Sequence, residues 1–261
     1  MNVLKLFDLS GKLAVVTGAA RGLGRHSALA LAEAGADVAI CDLLDNGGQT
    51  TASEIAALGR RSLALQVDVT QPEACAAFVA ELQAKLGFID ILVNNVGIGS
   101  SGKSLEDEEE ERWRRTIDTN LSAMFYMTKP VARQMIERNA GGVIVNMASM
   151  SSMIINNVHP RHNVSYCVSK AGVMHLTKGM ASDWARHGIR VNAIAPGYMD
   201  TEQAAWMKQN PELETRILSN IPMGRKGRED ELKGTVVYLA SDASSLMTGH
   251  TVVLDGGTIV W

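Results

Sequence analysis

Seven short, largely apolar runs rich in β-branched residues punctuate the chain: Leu13–Val16, Val38–Ile40, Leu63–Val67, Ile91–Val93, Val143–Val145, Val191–Ile194 and Val252–Leu254. They are continuous rather than alternating with polar residues, the pattern of strands buried on both faces of a parallel sheet. Between them apolar residues recur at helical spacing in Leu23–Ala34, Thr50–Leu58, Pro72–Leu86, Trp113–Arg138, Tyr166–Arg186 and Asp230–Ala240. Pro72 stands near a helix start, where its missing N–H costs nothing, and Asp68 or Thr70 is the expected cap. Strand and helix alternating about six times predict an α/β fold, with one domain over 1–261 and a doubly wound, seven-stranded parallel sheet covered by helices on both faces. The segment Thr201–Arg228 breaks the alternation and carries Pro211, Pro222, Gly224 and Gly227. Its place after a strand's carboxyl end predicts a substrate lid.

Composition narrows the function classes. The chain has 261 residues, 46% hydrophobic and 20% charged, which excludes disorder and collagen-like repeats. A net charge of −3 leaves no basic footprint for nucleic acid or an anionic membrane. The longest stretch free of charged side chains, Asn139–Pro160, holds too many Asn and Ser residues to enter hydrocarbon. Cys41, Cys75 and Cys167 are odd in number and widely spaced, so neither a disulfide framework nor a zinc site is expected. Met1–Gly11 lacks the apolar core of a signal peptide, and a cytoplasmic protein is expected.

The first strand runs into Thr17-Gly18-Ala19-Ala20-Arg21-Gly22-Leu23-Gly24 and then a helix. A tight turn opening a helix presents backbone N–H groups at the positive end of the helix dipole, which suits a pyrophosphate. The spacing G-x3-G-x-G departs from the general dinucleotide fingerprint. Asp42, at the end of the second strand, is placed to accept hydrogen bonds from ribose hydroxyls and to repel a 2′-phosphate. Arg21 argues the other way, since a guanidinium pairs with phosphate. Asp42 is weighted above Arg21, so NAD is expected, with NADP second.

A second constellation carries chemistry. Tyr166 and Lys170 are spaced i, i+4 and share one helix face. A tyrosine with a pKa of about 10 is a poor base near neutrality. A nearby ammonium favours the phenolate, and lowering the pKa by about three units takes roughly 4 kcal/mol. Ser149 follows the strand Val143–Val145, where a hydroxyl can polarise a carbonyl oxygen.

These pieces, with Asp68-Val69, Asn94-Asn95-Val96-Gly97, Asn120, Pro196-Gly197 with Thr201, and Asp255-Gly256-Gly257, resemble the short-chain dehydrogenase/reductase family over essentially the whole chain. The resemblance implies a Rossmann fold and hydride transfer directly between a nicotinamide cofactor and a substrate carbon, with no metal. It makes Tyr166 the general acid/base, with Lys170 lowering its pKa and holding the nicotinamide ribose. Ser149 then orients the carbonyl or alcohol, and Asn120 anchors a water-mediated proton relay. Cofactor contacts are implied for Gly18, Arg21, Gly22, Leu23, Gly24, Asp42, Asp68, Val69, Asn94, Asn95, Gly97, Tyr166, Lys170, Pro196, Gly197, Met199 and Thr201. Among these Asp68 contacts adenine and Asn94 braces the central strand. A homotetramer is implied, pairing the helices Trp113–Arg138 and Tyr166–Arg186 across subunits.

Two departures stand out. Val96 replaces the family's usual Ala and is expected to crowd the wall near the nicotinamide. The interval between Ser149 and Tyr166 is longer than usual, so the loop Ser151–Asn163 is expected to reshape the substrate pocket, with Ser151 a rival hydroxyl to Ser149. That loop is rich in hydrogen-bonding groups, which suits a substrate with several hydroxyls. Ser151, Asn157, His159 and Tyr198 are the candidate substrate contacts, and Trp261 packs at an interface or beside a pocket. The leading expectation is an NAD-dependent dehydrogenase of a polyol or sugar alcohol. The alternatives are an NADPH-dependent 3-oxoacyl thioester reductase and a catalytically idle cofactor-binding scaffold. The acidic run Glu106–Glu111, followed by Arg112, Arg114 and Arg115, reads as a solvated helix face with i, i+4 ion pairs.

Overall fold

A computed structural model describes residues 2–99, 103–155, 163–202, 204 and 210–260. Every apolar run forms a strand: β1 (Leu13–Thr17), β2 (Asp37–Asp42), β3 (Ser62–Gln66), β4 (Ile91–Asn94), β5 (Gly142–Met147), β6 (Ile189–Pro196) and β7 (Thr251–Leu254). They build a seven-stranded sheet in the order β3-β2-β1-β4-β5-β6-β7, with every pair parallel. Alternate residues of each buried strand feed different cores. Ala14 and Val16 face one side, with Leu31, Val38 and Leu239. Leu13 and Val15 face the other, with Phe78, Leu82 and Met135. The helices α1 (Gly22–Glu33), α2 (Asp45–Ala57) and α8 (Lys233–Ala240) supply the first core, and α3 (Pro72–Lys85), α5 (Ala123–Arg138) and α6 (Val164–Trp184) the second.

Three local expectations change. The span Trp113–Arg138 is not one α-helix: α4 (Glu110–Ile117) passes through a π-turn at Asp118–Ser122 into α5. A π-turn carries one residue more than an α-turn, and here it holds Asn120, which is fully buried. The N-cap of α3 is Gln71 rather than Asp68 or Thr70; the Asp68 carboxylate turns back to accept from the Thr70 backbone and hydroxyl, at 2.9 and 2.7 Å. Of the acidic run, Glu110 pairs with Arg114 at 3.1 Å, whereas Glu108 precedes the helix and Arg112 donates to the Gly99 carbonyl. The segment after β6 contains α7 (Pro211–Ser219), whose Leu213 and Ile217 pack on Met150, Tyr198 and Ile221.

The strand order reverses between β1 and its two neighbours β2 and β4, and a crevice opens there at the strands' carboxyl ends. Thr17, Asp42, Asn94, Met147 and Pro196 each close a strand, so residues remote in sequence meet at one edge.

Candidate active site

Along this edge lies a cavity of about 1370 Å³, larger than the roughly 300–1,000 Å³ of a single small-molecule pocket. One end is the glycine-rich turn. Gly18 and Gly22 hold φ of +66° and +59°, in the left-handed region that favours glycine. A Cβ on Gly24 would collide with the Gly18 carbonyl. Asn95 locks the turn from β4 by donating to the carbonyls of Thr17 and Gly18 at 3.1 and 3.0 Å. No side chain caps the N-terminus of α1, and its first residues Gly22, Leu23 and Gly24 line the cavity, where a helix start suits a phosphate.

Asp42 is held by two backbone donors, Ala20 and Leu44, both at 2.9 Å, which leaves lone pairs on each oxygen for ribose hydroxyls. Asp68 and Val69 form the adjoining wall. These residues fit a dinucleotide: a close backbone cradle, an uncapped helix start and a fixed carboxylate. Arg21 pairs with Glu202 at 3.3 Å. Val96 lines the cavity, and its Cγ2 also packs on the glycine-rich turn, 3.0 Å from where a Gly18 Cβ would sit.

At the other end Ser149, Tyr166 and Lys170 line the cavity together. The Lys170 ammonium stands 5.9 Å from the Tyr166 ring centroid and donates to the Met147 carbonyl at 2.8 Å. Only 3% of Lys170 is exposed, and burial holds its pKa down at about 8. The expected depression of the Tyr166 phenol is not found in the chain alone: burial raises it, and a hydrogen bond with Ser149 pulls against the rise. The cause is burial, which disfavours the phenolate and the Lys170 ammonium alike. Ser149 and Ser151 both line the cavity; Ser149 works against the rise of the Tyr166 phenol, and Ser151 against that of the Cys167 thiol, whose pKa burial raises.

Ser152, which sequence reasoning passed over, ties the pieces together: it accepts from the Ser149 N–H at 3.3 Å and donates to the Lys170 carbonyl at 2.9 Å. The serine-rich run Ser149–Ser152 was the available signal. Asn120 is not brought to the cavity surface. Its amide bonds both backbone groups of Ile98, at 2.8 and 3.0 Å, and the Ser169 hydroxyl at 3.0 Å, clamping the loop after β4 onto α6. Gly97 on that loop would place a Cβ 3.2 Å from the Lys170 Nζ. Asn94 is likewise buried behind the site, donating to Thr128 and Asn146 at 2.8 and 2.9 Å.

Pro196, Gly197, Met199 and Thr201 form the third wall beside Tyr198. A side chain on Gly197 would strike Asp255 at 2.6 Å, and Met199 forms a bridge with Gly227. Leu23 also reaches the cavity, whereas Asn157, His159 and Trp261 lie outside the described residues. No helix among the described residues is long and apolar enough to cross a membrane.

A family profile described as "Enoyl-(Acyl carrier protein) reductase" matches residues 18–258. The chain is 40% identical over 255 residues to the 2-dehydro-3-deoxy-D-gluconate 5-dehydrogenase of Dickeya dadantii, covering 98% of both chains. It is 40% identical to an NAD-dependent glycerol dehydrogenase of Listeria innocua, covering 97% of this chain and 96% of that one. A gluconate 5-dehydrogenase from Burkholderia cenocepacia, solved in complex with NADP and tartrate, superposes with a TM-score of 0.94 at 36% identity over all of both chains. The parallel sheet, the glycine-rich cradle and the Ser149–Tyr166–Lys170 cluster agree with these likenesses: the chain belongs to the short-chain dehydrogenase/reductase family and is an oxidoreductase acting on CH–OH groups.

Proposed function

We propose that this protein is an NAD-dependent dehydrogenase that interconverts a secondary alcohol of a polyol, sugar alcohol or similar small hydroxy compound with its ketone. The observation that carries the reading is the meeting of Ser149 and Tyr166 on one cavity wall, with the Lys170 ammonium 5.9 Å from the centroid of the tyrosine ring. NAD is favoured over NADP because the Asp42 carboxylate is fixed where a ribose 2′-phosphate would be repelled. The cofactor supplies hydride acceptance or donation when bound.

The remaining work falls to the chain. Ser149 donates a hydrogen bond to the substrate oxygen and orients it toward Tyr166. The phenol, protonated at neutral pH, gives its proton to a nascent alkoxide during reduction and recovers it during oxidation. Lys170 supplies positive charge near the developing phenolate, and Gly97 leaves room for its ammonium. Asn120 acts as a positioning residue, because its amide is spent on the loop that carries Gly97. Ser151 and Tyr198 line the substrate end, with α7 and the rest of 201–228 as the lid. Exposed Phe125 and Val168 on α5 and α6 support a homotetramer formed through those helices.

A second reading, NADPH-dependent reduction of an acyl thioester, draws on the description of the matched profile. The deciding measurement is reduced-nicotinamide formation with NAD and NADP against sugar alcohols, gluconate and simple secondary alcohols, with 3-oxoacyl esters run in reverse. Turnover of polyols with NAD is expected, falling at least a thousandfold in Tyr166→Phe while NAD binding persists. Activity confined to oxoacyl esters with NADPH would replace the reading, and silence on every substrate would favour an idle scaffold.

A further inference from the structure

Arg21 is the one cation beside Asp42 that sequence reasoning set against it, and the structure shows it already engaged. It occupies the N-cap position of α1 with extended backbone, φ −160° and ψ 177°, so its side chain projects from the turn. Its Nη1 lies 3.3 Å from Glu202 Oε2, a residue 181 positions further along, on the opposite lip of the cleft. Both side chains line the cavity and both face solvent, at 65% and 74% exposure. On the inner side the Asp42 carboxylate accepts from Ala20, the residue next to Arg21, and its second bond to Leu44 keeps it from swinging away. Asp42, Glu202 and Arg21 together bring two carboxylates and one guanidinium to these walls of the cavity.

We propose that Glu202 is a determinant of cofactor choice: by pairing with Arg21 across the cleft, it withholds the guanidinium from a ribose 2′-phosphate and adds a second negative charge to that of Asp42. This rests on the nicotinamide-cofactor reading above and extends it to a residue outside the cofactor motif. A guanidinium fork matches a phosphate as well as a carboxylate, so the two acceptors compete for it. A phosphate monoester brings a charge of about −1.5 to −2 at pH 7 into a corner whose net charge is already negative. NAD carries no charge at that oxygen, so Glu202 leaves its binding alone. Exposure sets the size of the effect, since solvent-facing pairs shift equilibria by only a few-fold.

Isothermal titration of NAD and NADP into the substrate-free protein tests this. Glu202→Gln is expected to bind NADP roughly three- to tenfold more tightly, with NAD unchanged within about twofold, and Glu202→Lys to widen the gap. In an Arg21→Gln background the gain from Glu202→Gln should shrink to under about twofold, and it should also shrink between about 0.05 and 0.3 M salt. An unchanged NADP affinity, a parallel rise for both nucleotides, or a gain that survives loss of Arg21 would each overturn the proposal. If the wild-type chain bound neither nucleotide, the cofactor reading itself would fall, and the proposal with it.

Discussion

Lys170 is a cation with 3% of its surface exposed, bonded to the Met147 carbonyl. Its pKa of about 8, against an ordinary 10.5, means that burying the charge costs about 3 kcal/mol at pH 7. The unfolded lysine keeps its proton up to about 10.5 and the folded one only up to about 8, so the unfolded state binds more protons between them. Stability of the wild type therefore rises with pH across that window. Lys170→Met removes the charge and sacrifices one hydrogen bond worth about 1 kcal/mol. The variant should be about 1–2 kcal/mol more stable at pH 7, a margin that closes toward pH 10 as urea midpoints are followed, while turnover is lost. A variant less stable at pH 7 would show that the site is not strained by its lysine. None of this conflict is visible in the Tyr-x3-Lys spacing, which places two side chains on one face but says nothing of what covers them.

At the scale of elements, glycines carry opposite predictions. Gly24→Ala drives a methyl into the Gly18 carbonyl and should destabilise the fold by about 2 kcal/mol while weakening nucleotide binding more than tenfold. Gly234, on α8, would meet nothing within 4 Å, so Gly234→Ala should instead gain about 0.5–1 kcal/mol in denaturant melts. Equal effects would mean that close approach does not govern the turn. The strands were legible because both faces are buried and leave an unbroken apolar signature. The start of α2 was not: Asn46-Gly47-Gly48 looks like a turn, yet Gly47 is helical, and the position needs glycine because a Cβ there would come within 2.7 Å of the Ala20 Cβ. The π-turn at Asp118–Ser122 escaped for a different reason, since one extra residue barely disturbs an apolar period while it swings Asn120 inward onto Ile98 and Ser169. The pairing of Arg21 with Glu202 spans 181 positions and exists only once the sheet has folded.

For the whole molecule, light scattering after gel filtration should give a mass about four times the 28.0 kDa of one chain; a monomer would remove the proposed role of the exposed faces of α5 and α6. The order of the sheet has a mechanical consequence within each chain. β1 joins β4 through only three residue pairs, Ala14↔Ile91, Val15↔Leu92 and Val16↔Val93, and this short ladder is the seam between the halves β3-β2-β1 and β4-β5-β6-β7. The cavity sits on top of that seam, with Asp42 and Asp68 on one side and Tyr166 and Pro196 on the other. A molecule lying along it is in effect an added stitch across the seam, and at a hundred times its Kd it would reinforce the fold by about 2.7 kcal/mol.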